Sequence, residues 1–141
     1  MLLSPAVAKI RHISAIIMLI TTTTSVMGSE QQAQVTGIYS NLQYIEEAGD
    51  LLGTELFIVS GPNGYEVVVQ VAEGVPGPIL TVPVVVTGTH VRFIVPRPSF
   101  GAGTYEGEIG PKGFEGVVTA TFNGRVLTTP IRLARKNSYW Q

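Results

Sequence analysis

The stretch TYEGEIGPKGFEGVV, Thr104 to Val118, sets Glu106, Glu108 and Glu115 within ten positions. Carboxylates at that density could be a general acid/base pair, a cation site or the wet face of a hairpin. A glycosidase-like pair needs one carboxyl in a desolvating cleft. A calcium site needs about six oxygen ligands. A strand hairpin needs only alternation. Pairing across Pro111-Lys112 sets Ile109 against Phe114, Gly107 against Gly116 and Tyr105 against Val118, so both apolar sets share one face. The glutamates then fall on the opposite, solvated face, with Glu108 across from Glu115 and Lys112 near enough to ease the like charges.

Other candidates for catalysis are sparse. Outside the N-terminal leader there is one histidine, His90, which alternation points outward beside Arg92, and one aspartate, Asp50. A Ser-His-Asp set would have to join these two, and no G-x-S-x-G elbow is present. Zinc would have one imidazole and no thiolate. GPNG and GAG lie between strands with no following helix, so they read as turns and not phosphate loops. EEAGD, with Glu46, Glu47 and Asp50, reads as a solvated acidic turn. The expectation is a protein that is not an enzyme, with no metal and no cofactor.

The leader supports export. Lys9, Arg11 and His12 precede the apolar run Ile13–Ile20, and TTTTSVMGS follows with small residues, the three parts of a secretory signal. The run is short of the roughly 20 residues that span a bilayer. Val26 and Gly28 suit a cleavage site, so residues 1–28 read as signal peptide, 29–34 as a flexible leader and 35–141 as one domain. No cysteine follows to carry a lipid. Losing Lys9 and Arg11 takes the formal charge from −1 to −3. That mild acidity, with no basic patch, argues against nucleic acid or an anionic membrane as partner. With no cysteine at all, packing alone must hold the domain. The expected location is bacterial and exported, periplasmic or secreted.

Nearly every later segment has period two. VTGIYSNLQYI, TELFIVS, YEVVVQVAE, ILTVPVVV, HVRFIVP, GTYEGEI, FEGVVTATF and VLTTPIRLAR are eight strand candidates joined by short Gly, Pro and Asn turns. Short links predict an all-β antiparallel up-and-down meander, and closure into a barrel removes its edges. A β-sandwich is the alternative. Pro83 cannot donate to a central ladder, so an opening is expected beside it. Val67, Val69 and Val71 should point inward with Tyr65, leaving Val68 and Ala72 outside. Val68 and Val85 would then form an apolar stripe for self-association, making a homo-oligomer, or for an envelope protein.

The order of parts resembles calycin-type barrels, the group of lipocalins and avidin-like proteins. Those chains carry Gly-x-Trp on the first strand and an Arg on the last, whose side chain packs over the ring and plugs one end. Gly37, Tyr39 and Arg135 occupy the matching positions here. Tyr39 stands where Trp is usual, and Trp140 could supply the indole. The pattern YEGEI…FEGVV…IRLARKNSYW is also similar to that of many exported bacterial proteins of unassigned function, which brings no activity with it.

The inward aromatics Tyr39, Tyr65, Phe93, Tyr105 and Phe114 surround the facing Gly107 and Gly116. The glycine gap could seat a ring such as Trp140 or leave room for a small apolar ligand. Two functions follow as expectations: an exported barrel binding a small apolar ligand inside, or an envelope-associated interaction module with a filled core.

Overall fold

Period-two alternation becomes strand along most of residues 35–137, the part of the chain that the computed structural model describes. The strands are β1 (Gly37–Ser40), β2 (Gln43–Ile45), β3 (Asp50–Gly61), β4 (Gly64–Gly74), β5 (Leu80–Thr87), β6 (His90–Val95), β7 (Gly103–Gly110), β8 (Gly113–Phe122) and β9 (Arg125–Lys136). From β2 to β9 each pairs antiparallel with its sequence neighbour, and β1 lies between β9 and β3, closing the ring. A single closed sheet excludes the sandwich. The signal peptide and leader placed at residues 1–34, and Trp140, lie outside the described residues.

The first predicted strand is split. β1 and β2 keep one register on β3, but Asn41 interrupts them. Its N–H donates to the Thr54 carbonyl at 3.1 Å, and its Oδ1 accepts from the Thr54 N–H at 2.7 Å. The kink presses on Gly53 (φ 119°), where a Cβ would sit 2.6 Å from the Asn41 carbonyl oxygen. Counting β1 and β2 as one interrupted strand gives an eight-stranded barrel. Following the register once around it returns about ten residues along β3, an offset that tilts the strands steeply.

Turn chemistry agrees with the sequence. Asn123 and Gly124 both have positive φ (48° and 76°), the I′ geometry that Asn-Gly favours between twisted strands. Gly110 pairs with Gly113 around Pro111-Lys112, giving the expected β7–β8 register.

Two expectations need correction. The barrel does not open at Pro83. Pro83 pairs with Glu66 on β4, and only the β5–β6 ladder stops short of it, at Val84 opposite Phe93. Ala72, expected outside, is buried, because the β4–β5 loop folds back over it. Gly77 N–H donates to the Val71 carbonyl and Ala72 bridges Pro76.

The core runs the length of the barrel: Tyr39, Leu56, Ile58, Val67, Val69, Val84, Val91, Phe93, Val95, Tyr105, Ile109, Phe114 and Leu133 are all buried. The two ends differ. Three tight hairpins (Gly61–Gly64, Thr87–His90 and Gly110–Gly113) and both described chain ends mark the hairpin end. Longer loops after β2, β4 and β6, with the Asn123-Gly124 turn, mark the loop end.

Candidate interaction surface

At the hairpin end Tyr39 and Arg135 are direct cross-strand partners. Arg135 Nη2 donates to the Tyr39 hydroxyl at 2.8 Å, and that hydroxyl donates to the Val35 carbonyl, also at 2.8 Å. Nη1 donates to the Thr36 carbonyl, and the guanidinium carbon stands 5.0 Å from the Tyr39 ring centre. Gly37 (φ 145°) admits this fork, since a Cβ there would sit 3.0 Å from Nη1. Burial raises the Tyr39 pKa, with the Arg135 charge opposing. The result is a polar stopper on an apolar tube.

The interior aromatics meet one another. Phe93 stacks on Tyr105 with centroids 4.8 Å apart, and Phe114 and Tyr39 are completely buried, whereas Tyr65 is half-buried near the rim. Tyr105 donates to the Gly101 carbonyl at 3.0 Å. Burial pushes its pKa up to about 12, with the Glu73 charge adding and a Thr54 hydrogen bond opposing. Gly107 and Gly116 do face each other. A Cβ on Gly107 would strike the Glu115 carbonyl oxygen and lie 2.6 Å from Gly116 Cα; one on Gly116 would strike the Glu106 carbonyl oxygen. Backbone closes against backbone there, as at a tight barrel bend.

The acids behave as a solvated face with unforeseen partners. His90 lies across from Glu108 on β6–β7 and reaches two carboxylates, with Nδ1 3.0 Å from Glu108 Oε1 and Nε2 3.2 Å from Glu106 Oε1. Thr89 Oγ1 donates to Glu108 Oε2 at 2.7 Å, and Arg92 stands 3.7 Å from Glu106. Glu115 is 3.9 Å from Arg132 on β9. The like charges are therefore eased by β6, whose register with this hairpin was not legible, and by β9, and Lys112 makes no ion pair among the described residues. The Glu108 hydrogen bond chiefly raises the His90 pKa; Thr89, then His90, lowers that of Glu108. No grouping of three or more His, Asp or Glu among the described residues could hold a metal. His90 and Asp50 open strands at opposite ends of the barrel, so they do not meet.

The loop end is where apolar surface collects. Tyr44, Leu52, Val75, Ile79, Phe100, Phe122, Val126 and Leu127 there are eight of the eleven exposed large hydrophobics among the described residues, while Val85 belongs to the wall and Val68 is only half-buried. The β8–β9 hairpin projects beyond its neighbours: the β7 ladder ends at Thr119 and the β1 ladder at Ala134. Arg125–Pro130 are consequently exposed on both faces. Phe122 and Leu127 continue the interior face past the barrel mouth. A cleft of about 500 Å³ lies between Ala120–Phe122 and the Arg97–Ala102 loop, with Glu73 at its side. Sequence reasoning missed Phe100, Phe122 and Leu127. The available signal was VLTTP, whose apolar residues sit next to each other and so must point to both faces.

No family model, curated protein or solved structure matches this chain.

Proposed function

We propose that this chain is a non-catalytic binding module of the bacterial envelope, built on a calycin-like barrel, that engages a protein partner with its loop end. The observation that carries this is the gathering of exposed apolar side chains at that end around a barrel whose own residues fill the interior. Exposed patches of this kind, rimmed by polar residues, mark interaction sites in water-facing proteins. Acids at the loop end (Glu46, Glu47, Asp50 and Glu73) outnumber Arg97 and Arg125, which disfavours an anionic membrane or nucleic acid. An apolar interior with Glu and Arg on the wall is also the reverse of a membrane-spanning barrel.

The test pairs two measurements on protein produced in an envelope. Photo-cross-linking from Phe122 or Ile79 should trap a protein, and cross-linking from Ser60 at the hairpin end should not. Native mass spectrometry of the same material reports any small molecule. A copurifying apolar ligand with no cross-link from the loop end would replace this reading with interior carriage among Tyr39, Tyr65, Phe93, Tyr105 and Phe114.

A further inference from the structure

We infer that the free edge of β9 pairs with the same edge of a second copy of this chain, antiparallel, about a two-fold axis through Leu127. This rests on the loop end being a protein-binding surface and names its partner. The Arg135 N–H donates to the Lys112 carbonyl, so odd-numbered residues of β9 direct their backbone groups to β8. The even-numbered ones, Val126, Thr128, Pro130 and Arg132, direct theirs the other way. β1 takes up that side only from Ala134 to Lys136. Beyond it the edge is unpaired among the described residues, and an open edge is a template for another strand.

The ends of the described residues lie away from this edge. Val35 and Asn137 both lie at the hairpin end. Thr128 is eight residues from Lys136 along β9, about 26 Å at the rise of a strand.

A second copy fits the edge without alteration. Pro130 has no N–H, so a register that sets it opposite Val126 or Thr128 loses hydrogen bonds. With the axis through Leu127, Val126 of each copy faces Thr128 of the other and both pairs exchange both backbone hydrogen bonds. Pro130 then lies opposite the Gly124 turn. Leu127 meets Leu127 of the second copy at the close, non-hydrogen-bonded position, where Cα atoms stand about 4.5 Å apart. Phe122 flanks them on the same face, and Arg125 faces Thr129, so no like charges are brought together. β1 leaves β9 at Ala134, so the edge from Val126 to Arg132 has no strand beside it among the described residues. The contact is isologous and closes on itself.

The chain has no cysteine, so Leu127→Cys under air should give a disulfide-linked dimer, and Val85→Cys on the wall should not. Unmodified protein should sediment as a dimer at about 10 μM. Thr128→Pro removes an edge-facing N–H, as Pro130 already does, together with the exposed 3.3 Å hydroxyl contact to Thr119, and should weaken the dimer at least about tenfold, whereas Thr128→Val, which loses the hydroxyl alone, should leave it intact. Leu127→Cys that cross-links no faster than Val85→Cys, or a wild-type monomer at about 100 μM, overturns the proposal, including the case in which residues before 35 cover the edge. A monomer that still cross-links a host protein from Phe122 would overturn the second copy alone and leave the binding-module reading standing.

Discussion

Arg135 joins the last strand to the first through a hydroxyl, a ring face and the Thr36 carbonyl, so its neighbours depend on it for their hydrogen bonds. Tyr39→Phe removes the hydroxyl that links Arg135 Nη2 to the Val35 carbonyl, and urea unfolding should show a loss of about 1–3 kcal/mol. On the outer face, the two shifts at His90 and Glu108 act in opposite directions with pH. The raised His90 pKa means its stabilisation is present in acid and fades as pH climbs through the folded-state value. The lowered Glu108 pKa means its stabilisation is present above the usual carboxylate range and fades as pH falls through the folded-state value. Both coexist at mildly acidic pH, where the urea midpoint should peak. His90→Gln should flatten the alkaline side of that profile and make the acid side shallower, where Thr89 still holds Glu108 down, and Glu108→Gln should flatten both sides. The outward direction of His90, Glu106 and Glu108 was legible from alternation. Their meeting was not, because it depends on how β6 registers with β7, which a Gly- and Pro-rich connection of seven residues leaves free.

Strand pairs joined by short turns were legible because burial on one face fixes their register. In β7–β8 a slip of one residue would expose Tyr105, Ile109 and Phe114. The purpose of Gly107 and Gly116 was not legible, since sequence shows that volume is missing and not what occupies it. Backbone occupies it, so Gly107→Ala or Gly116→Ala should destabilise by about 3 kcal/mol in denaturant titrations, as overpacking does. A ligand-sized gap at that position would instead absorb the methyl group at little cost. Pro83 and β9 make the complementary point. A proline marks where a ladder cannot be made, yet here the β4 side pairs through it. The long free edge falls on β9, where it is set by where β1 turns away at Asn41.

Across the whole molecule, the interior is held by apolar packing and the loop end is left apolar and wet. Phe114→Ala, with Phe114 fully buried, should cost about 3–5 kcal/mol. Phe122→Ser with Leu127→Ser should leave the unfolding free energy within about 0.5 kcal/mol per site while abolishing cross-linking from Ile79. Composition and alternation made the barrel legible, but they carry no information on which end of a tube its exposed residues gather. Closure has a kinetic side as well. Every strand from β2 to β9 pairs with its neighbour in sequence, but the ring is sealed only by Ile38–Ser40 meeting Ala134–Lys136. A chain emerging N-terminus first can zip its hairpins early and still cannot close until its last strand has appeared. Until then Tyr39 waits for Arg135 beside an open sheet. A chain shortened by its final ten residues should therefore stay extractable and protease-sensitive, however well its hairpins have formed.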